Sequence, residues 1–568
     1  MKRAIILFAL LLILGAGLLA ALKLGLWDAL KEIAWVRDVQ NQVLAVYGRL
    51  TAPTFDTADY TPMPYTGMNP YGINTFLEQE AEEWKVRRSL ELIRDAGLGW
   101  IRQEFPWNDI EVLGKGNYTN EYGQHTWDKY DRLVRLVEEY GLQMIVRLDL
   151  PPRWAHRAYD KHPLGPPDDY RDFGDYVYSV VSRYKGRLRF YQIWNEPNVS
   201  HEWGQRTVSA RSYVDLLKIA YTRAKEADPD CVILCAALSP TIDPGPVSQN
   251  DISYLEEMYA AGAKDYFDIM AANPYGMFWG PDERRIGRYD HVNFSRPILT
   301  REVMVRNGDA AKPIWGVEMG WTVLPDDFPE PPAWGRVTDE QQARYLVRGF
   351  QRIQEEWPWM PLACVWHFRM VHDVNRYQQQ YYFRIVGDRF EPYPAYLALK
   401  ALATAPPQVY KGYHQEDHWA LHWAGDWQTR KDGRAVLGGY REGGDGAALT
   451  FTFVGDGLDL VVRRSPGAGR LHVTIDGEEH TVDLHADAET WQTIVPVASG
   501  LAYGPHQVRV AVEGAGNVDG LIVRVAPDDL RQRVTAGAII AGLFVLGGLG
   551  VGVWAMRRRV PPAPGPKE

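Results

Sequence analysis

Two glutamates carry residue types and neighbours suited to acid–base and nucleophilic chemistry. Glu196 sits in Tyr191-Gln192-Ile193-Trp194-Asn195-Glu196-Pro197-Asn198, and Glu318 in Lys312-Pro313-Ile314-Trp315-Gly316-Val317-Glu318-Met319-Gly320-Trp321. Each follows a short β-branched and aromatic run, which places each at the C-terminal end of a strand. A pair of carboxyl groups held together in a polar cleft can divide the roles of proton donor and nucleophile, with burial and mutual repulsion separating their pKa values. Such a pair can split these roles on a glycosidic bond.

Those two strand ends must be brought together by a larger frame. Strand signals recur eight times between residues 71 and 368: Tyr71–Leu77, Gly99–Glu104, Leu142–Asp149, Arg189–Asn195, Cys231–Leu238, Phe267–Asn273, Pro313–Glu318 and Leu362–Phe368. Helical patterns fill the gaps. Glu82–Ala96 carries Trp84, Val86, Leu90 and Ile93, and Trp127–Tyr140 carries Tyr130, Leu133, Leu136 and Val137 at three- and four-residue spacing. Thr338 and Gln341 have capping-box spacing ahead of Tyr345, Leu346 and Phe350. Strict strand–helix alternation predicts an α/β fold, a (β/α)8 barrel over residues 70–405. The rival is an open doubly wound sheet, but no Gly-rich phosphate loop follows the first strand.

The Trp-Asn-Glu-Pro-Asn run resembles the acid/base motif of clan A glycoside hydrolases, retaining enzymes on this barrel. Within the clan it is most similar to family 39, with family 5 next. The resemblance covers about Tyr71 to Ala405 and implies that Glu196, after strand 4, is the acid/base and Glu318, after strand 7, the nucleophile. It also implies that Asn195 contacts the sugar 2-hydroxyl, that the Tyr275 hydroxyl lies near the nucleophile, and that Arg102 holds that nucleophile ionised. Trp366 corresponds to an aromatic under the sugar, and Pro152 and Trp154 resemble the family's strand 3 Pro-x-Trp. Asn273 departs from the pattern, standing where the family has His. Asp149, Trp154, His367, Arg369, His372 and Asp373 fall on neighbouring loops as further substrate-binding candidates.

After Ala405-Pro406-Pro407 the pattern changes to short strands with Gly-rich turns: Leu449–Val454, Leu458–Val462, Leu471–Ile475, Gln507–Val512 and Leu521–Val525. This predicts an all-β sandwich over residues 406–528, similar in a general way to the jelly-roll domains that follow many glycosidase barrels. Trp419, Trp423, Trp427 and Trp491 are expected to pack against the barrel, with a sugar platform as the alternative.

The chain ends are apolar. Ala4 to Leu22 follows Lys2 and Arg3, a signal peptide or anchor over residues 1–23; residues 24–69 read as an amphipathic helix and an extended linker. Val534 to Met556 reaches about 34 Å as a helix, enough to cross a bilayer. Arg557, Arg558 and Arg559 open the 557–568 tail and place it in the cytoplasm by the positive-inside rule, with the domains between outside. A net charge of −10 disfavours nucleic acid as a partner. Cys231, Cys235 and Cys364 have no ligand spacing and read as buried fillers, so neither metal nor organic cofactor is expected. The sequons at Asn117, Asn198 and Asn293 read as chance matches.

These features predict a membrane-anchored extracytoplasmic retaining glycosidase acting on an oligo- or polysaccharide. A transglycosidase using the same residues, or a non-hydrolytic carbohydrate-binding protein, are the alternatives.

Overall fold

The computed structural model describes residues 55–526. Eight parallel strands run β1 (Tyr71–Thr75), β2 (Trp100–Pro106), β3 (Gln143–Asp149), β4 (Phe190–Ile193), β5 (Val232–Leu234), β6 (Met270–Ala272), β7 (Ile314–Met319) and β8 (Leu362–Val365). Their spatial order is β5-β4-β3-β2-β1-β8-β7-β6, and a parallel bridge from Leu234 to Ile269 joins the two ends into a closed barrel. Each predicted strand is present, mostly shorter at its ends. The open-sheet alternative is excluded by the closure.

Side-chain alternation along these strands sorts the residues. Trp100, Ile145, Phe190, Val232, Leu234, Ile269, Ala271, Trp315, Val317, Leu362 and Cys364 pack together inside the barrel, while the other parity packs against the helices. Trp100, Phe190 and Trp315 meet with ring centroids 4.9–5.2 Å apart. Tyr65 closes this end: its ring meets Phe190 edge-on at 6.0 Å and its carbonyl accepts from Trp315 Nε1 at 3.3 Å. The described part of the expected linker is therefore a plug. Tyr65 and Met68 seal the barrel's lower end, which an extended solvent-exposed segment would leave open.

The helices follow the apolar spacing. In Glu83–Asp95, Val86, Leu90 and Ile93 are buried; in Trp127–Glu139, Tyr130, Leu133, Leu136 and Val137 are. The helix Asp339–Glu356 begins with a complete capping box, Thr338 Oγ1 accepting from Gln341 N–H at 3.2 Å and Gln341 Oε1 accepting from Thr338 N–H at 3.0 Å. Cys231, Cys235 and Cys364 are buried free thiols.

Beyond the helix Pro394–Ala403 the chain forms a seven-stranded and a three-stranded sheet around a separate apolar core. Two predicted strands, Leu449–Val454 and Leu458–Val462, are one continuous strand, Ala448–Arg464, with register shifts at Gly455 and Gly457. Those glycines mark bulges rather than a turn: a Cβ on Gly455 would lie 2.6 Å from the Arg524 carbonyl. Asp476-Gly477 is a two-residue hairpin turn with φ of 50° and 93°, as its sequence demands. Of the four tryptophans expected on the barrel, only Trp419 is there, edge-on to Tyr71 at 6.4 Å. Trp423 and Trp427 pack against the sandwich core, and Trp491 lies against Tyr440. Their strands belong to the sandwich, so its own core takes the rings.

The terminal apolar runs, Ala4 to Leu22 and Val534 to Met556, lie outside the described residues, as does most of the 24–69 segment. Among the described residues no helix is long and apolar enough to cross a membrane.

Candidate active site

The inward-facing positions at the C-terminal strand ends are polar, and they converge. Arg102, one inward position beyond Trp100 on β2, is 3% exposed and organises the floor. Its guanidinium donates to Glu318 Oε1 at 2.8 Å, Asn74 Oδ1 at 2.8 Å, Gln192 Oε1 at 2.8 Å and Asn195 Oδ1 at 3.3 Å. Asn74 in turn donates to the carbonyls of Val317 and Val365, tying β1 to β7 and β8. A buried charge needs a full set of partners, and this one has them.

Glu318 on β7 is 5% exposed, and its second oxygen accepts from the Tyr275 hydroxyl at 2.8 Å. Burial, with the nearby charges of Glu318 and Glu196, pushes the Tyr275 phenol well above its ordinary pKa, so it remains a donor. Each Glu318 oxygen thus meets a committed donor, and the site is built around a carboxylate at this position.

Glu196 has a different environment. It is partly exposed, and its Oε1 accepts from Asn273 Nδ2 at 2.7 Å. Burial, and then the charges of Glu318 and Glu202, raise its pKa to about 8, against the opposing hydrogen bonds of Asn273 and Ser239. Its backbone is held in the left-handed region, φ 39°, two residues after Trp194 at φ 72°. Three contacts hold that shape. The Trp194 indole N–H donates to the Glu202 carbonyl at 3.1 Å, and Glu196 N–H donates to the Ala237 carbonyl at 3.0 Å. Asn198, wholly buried, bonds Ser239 N–H and the carbonyls of Ser239 and Gln249. Asn198 is thus a loop clasp that no glycan can reach.

Asn195 completes the centre. Because its Oδ1 accepts from Arg102, its Nδ2 is the group left to donate; among the described residues no partner occupies it. Trp366 ends β8, partly exposed, edge-on to Phe76 at 5.7 Å.

The remaining candidates separate. Asp149 faces the barrel mouth in a second cluster with Arg147 and Glu104: Arg147 Nε lies 2.9 Å from Asp149 Oδ2, and Arg147 Nη2 pairs with Glu104. Burial raises the Asp149 pKa well above the carboxylate range, whereas Arg147, against burial, holds Glu104 below it. Trp154 is a step removed, its Nε1 donating to the Glu111 carbonyl at 2.7 Å and its ring edge-on to Trp107. His367 does not reach the cleft: it is wholly buried, Nε2 lies 3.0 Å from the Gln380 carbonyl, and burial lowers its pKa to about 4. Its ring packs against Phe76 and Trp366, both with centroids 5.5 Å away, and its bond to Gln380 supports the loop after β8. Arg369 is likewise structural, paired with buried Glu80. His372 is exposed, and the Asp373 side chain lies outside the described set.

Sequence reasoning did not find Asn74, Gln192, Glu104, Arg147 or the Asn273–Glu196 bond. Strand parity was the available signal, since all five residues share the inward parity of their strands. Among the described residues no group of three or more His, Cys, Asp or Glu side chains is arranged to hold a metal ion.

No family model matches this chain, and no curated protein does. The structural neighbours include family 39 glycoside hydrolases. A family 39 glycoside hydrolase from Bacteroides cellulosilyticus WH2 is similar at 18% identity and a TM-score of 0.45, over 81% of this chain and 83% of that one. A monomeric β-xylosidase from Caulobacter crescentus CB15 is similar at 13% identity and a TM-score of 0.42, over 80% and 98%. A family 39 enzyme from Xanthomonas axonopodis pv. citri is similar at 15% identity and a TM-score of 0.43, over 81% and 97%.

Proposed function

We propose that this protein is a retaining glycoside hydrolase that cleaves O-glycosidic bonds of an oligo- or polysaccharide. One observation carries the proposal: two carboxyl groups in one cleft are given opposite environments. Glu196 is pushed up to about 8 and holds a proton at neutral pH. Glu318 accepts from the Arg102 guanidinium and the Tyr275 phenol. That division is what double displacement requires. Glu318 attacks the anomeric carbon while Glu196 protonates the departing oxygen; a glycosyl ester on Glu318 results. Glu196, now a carboxylate, takes a proton from water, and that water displaces Glu318. Asn195 Nδ2 is placed to donate to a sugar hydroxyl, and Trp366 offers a ring face. The carboxyl groups should stand roughly 5–5.5 Å apart, leaving no room for a water between nucleophile and sugar.

The terminal runs add a location. Lys2 and Arg3 before the first and Arg557 to Arg559 after the second support a chain anchored in the membrane with its barrel outside.

A panel of aryl glycosides tests the activity, and NMR of the first-formed sugar tests the stereochemistry. Cleavage with the anomeric configuration kept is expected, and Glu318→Gln should lower kcat on the order of 10⁴-fold with an unchanged circular dichroism spectrum. An inverted product would exclude Glu318 as nucleophile. Cleavage of no glycoside, with sugar still bound, would leave a carbohydrate-binding protein; transfer to a sugar acceptor in preference to water would make it a transglycosidase.

A further inference from the structure

A groove lined by aromatic and charged side chains lies on the barrel flank, apart from the candidate active site. It runs between the helix Glu83–Asp95 and the turn at residues 387–391. Its volume is about 740 Å³, and it is open to solvent, as an extended chain requires.

Two aromatic rings form its floor. Trp84 is 57% exposed, an unusual placement for the largest apolar side chain on a helix whose other apolar residues are buried. Phe390 lies 5.9 Å from it, tilted by 56°. Phe390 is not loosely hung. Its backbone has φ 65°, a conformation disfavoured for an aromatic residue, held by its N–H to the Gly387 carbonyl and by Gly387 N–H to the Glu391 carbonyl. The Arg369 guanidinium packs on its ring at 4.4 Å. The turn therefore sustains local strain to present a pinned ring beside an exposed tryptophan.

The polar rim discriminates between ligands. Arg87 is bonded to Glu83 and Glu139, and Arg88 to Glu91, so these cations are already neutralised. Arg389 alone among the groove's arginines has no carboxylate partner among the described residues; only its backbone N–H is engaged, by Glu391. Asp388 adds an exposed carboxylate. Paired charges beside flat rings suit a ligand that both donates and accepts hydrogen bonds and has apolar faces, and they suit a polyanion poorly.

We propose that this groove is a second, non-catalytic binding site for a neutral polysaccharide chain. Trp84 and Phe390 stack on sugar-ring faces, and Arg389, Arg88, Glu91 and Asp388 exchange hydrogen bonds with hydroxyls. The choice of a polysaccharide, as against another polyhydroxylated polymer, rests on the glycosidase reading above.

Native gel electrophoresis of the detergent-solubilised full chain, in gels each containing arabinoxylan, mannan, mixed-linkage β-glucan or inorganic polyphosphate, tests it. Retardation by at least one neutral polymer is expected, weakened about tenfold in Trp84→Ala, with kcat/KM on an aryl glycoside unchanged. Arg389→Gln, a milder change at an exposed side chain, should weaken it in the same direction. Retardation by no neutral polymer, retardation by polyphosphate alone, or retardation equal in wild type and both variants would overturn the site. Trp84-dependent retardation in a protein that cleaves no glycoside would leave the site standing and remove the enzyme reading instead.

Discussion

In the proposed double displacement the Glu196 carboxyl must hold a proton when it meets substrate, and its pKa of about 8 sets where that condition fails. Activity should therefore fall as pH rises through about 8, an alkaline limb in kcat/KM belonging to the free enzyme. Asn273 donates to Glu196 and so favours its charged form. Replacing it, as in Asn273→Ala, removes that stabilisation, and the alkaline limb should move to higher pH. A limb that stays in place, or moves down, would mean that another group governs it. Glu196→Ala should lose activity on substrates with poor leaving groups most severely. Azide should restore turnover of a substrate with a good leaving group and yield a glycosyl azide, since the vacated space admits a small anion and the proton is no longer needed. No azide product would remove Glu196 from the acid/base role.

At the element scale, the site depends on turns that hold uncommon backbone shapes. The segment after β4 has φ of 72° at Trp194 and 39° at Glu196, and Asn198 fastens it to the residues after β5. The segment after β6 needs Gly276, because a Cβ there would lie 2.0 Å from the Trp321 indole. That indole is buried and donates to the Trp279 carbonyl at 2.8 Å, so it cannot withdraw without breaking the loop. Away from the site, Thr338 caps the helix Asp339–Glu356 through a reciprocal pair of hydrogen bonds. Thr338→Ala should cost about 1 kcal/mol of stability in urea unfolding and leave kinetic constants unchanged. A change in KM would show that this helix start communicates with the cleft.

For the whole molecule, two buried histidines at the junction of barrel and sandwich predict a loss of stability in acid. His414 and His418 are buried at 8% exposure each, with rings 4.8 Å apart, and line a cavity shared with Trp357 and Trp419. Burial lowers the His414 pKa to about 4 and that of His418 well below 6.5. Both are uncharged in the fold and take up protons on unfolding, so their contribution is complete above pH 6.5 and is lost as pH falls, for His414 down to about 4. Glu196, raised above its unfolded value of 4.5, acts in the opposite sense and costs stability as pH rises through about 8. Urea midpoints should fall between pH 6.5 and 4, and less steeply in a His414→Gln/His418→Gln double variant; equal slopes would exclude the pair. Topology is tested on intact cells or spheroplasts: added protease should digest the barrel and spare an epitope placed after Arg559, and a protected barrel would overturn the outward placement.

The order of elements was legible because strand and helix impose different periods. Alternating β-branched and aromatic runs at eight places, with helical patterns in the gaps between them, permit few arrangements. The two glutamates and Asn195 were legible as strand-end residues from the runs that hold them, whereas their meeting in one cleft was implied by the resemblance to clan A enzymes. The Asp476-Gly477 turn and the Thr338 cap are local in the same way. What only the tertiary structure decided involves partners distant in the chain. Arg102 meets Asn74, Gln192, Asn195 and Glu318, contributed by three other strands or their ends. Asn273 reaches Glu196 across 77 positions. His367 is buried beneath the loop after β8, where the distant Gln380 carbonyl and the Phe76 ring hold it. Gly455 and Gly457 bulge a strand rather than break it, because another strand lies against them. Local pattern dictates which residues stand at the ends of strands; barrel closure dictates which of those ends touch, and so which carboxyl group keeps its proton.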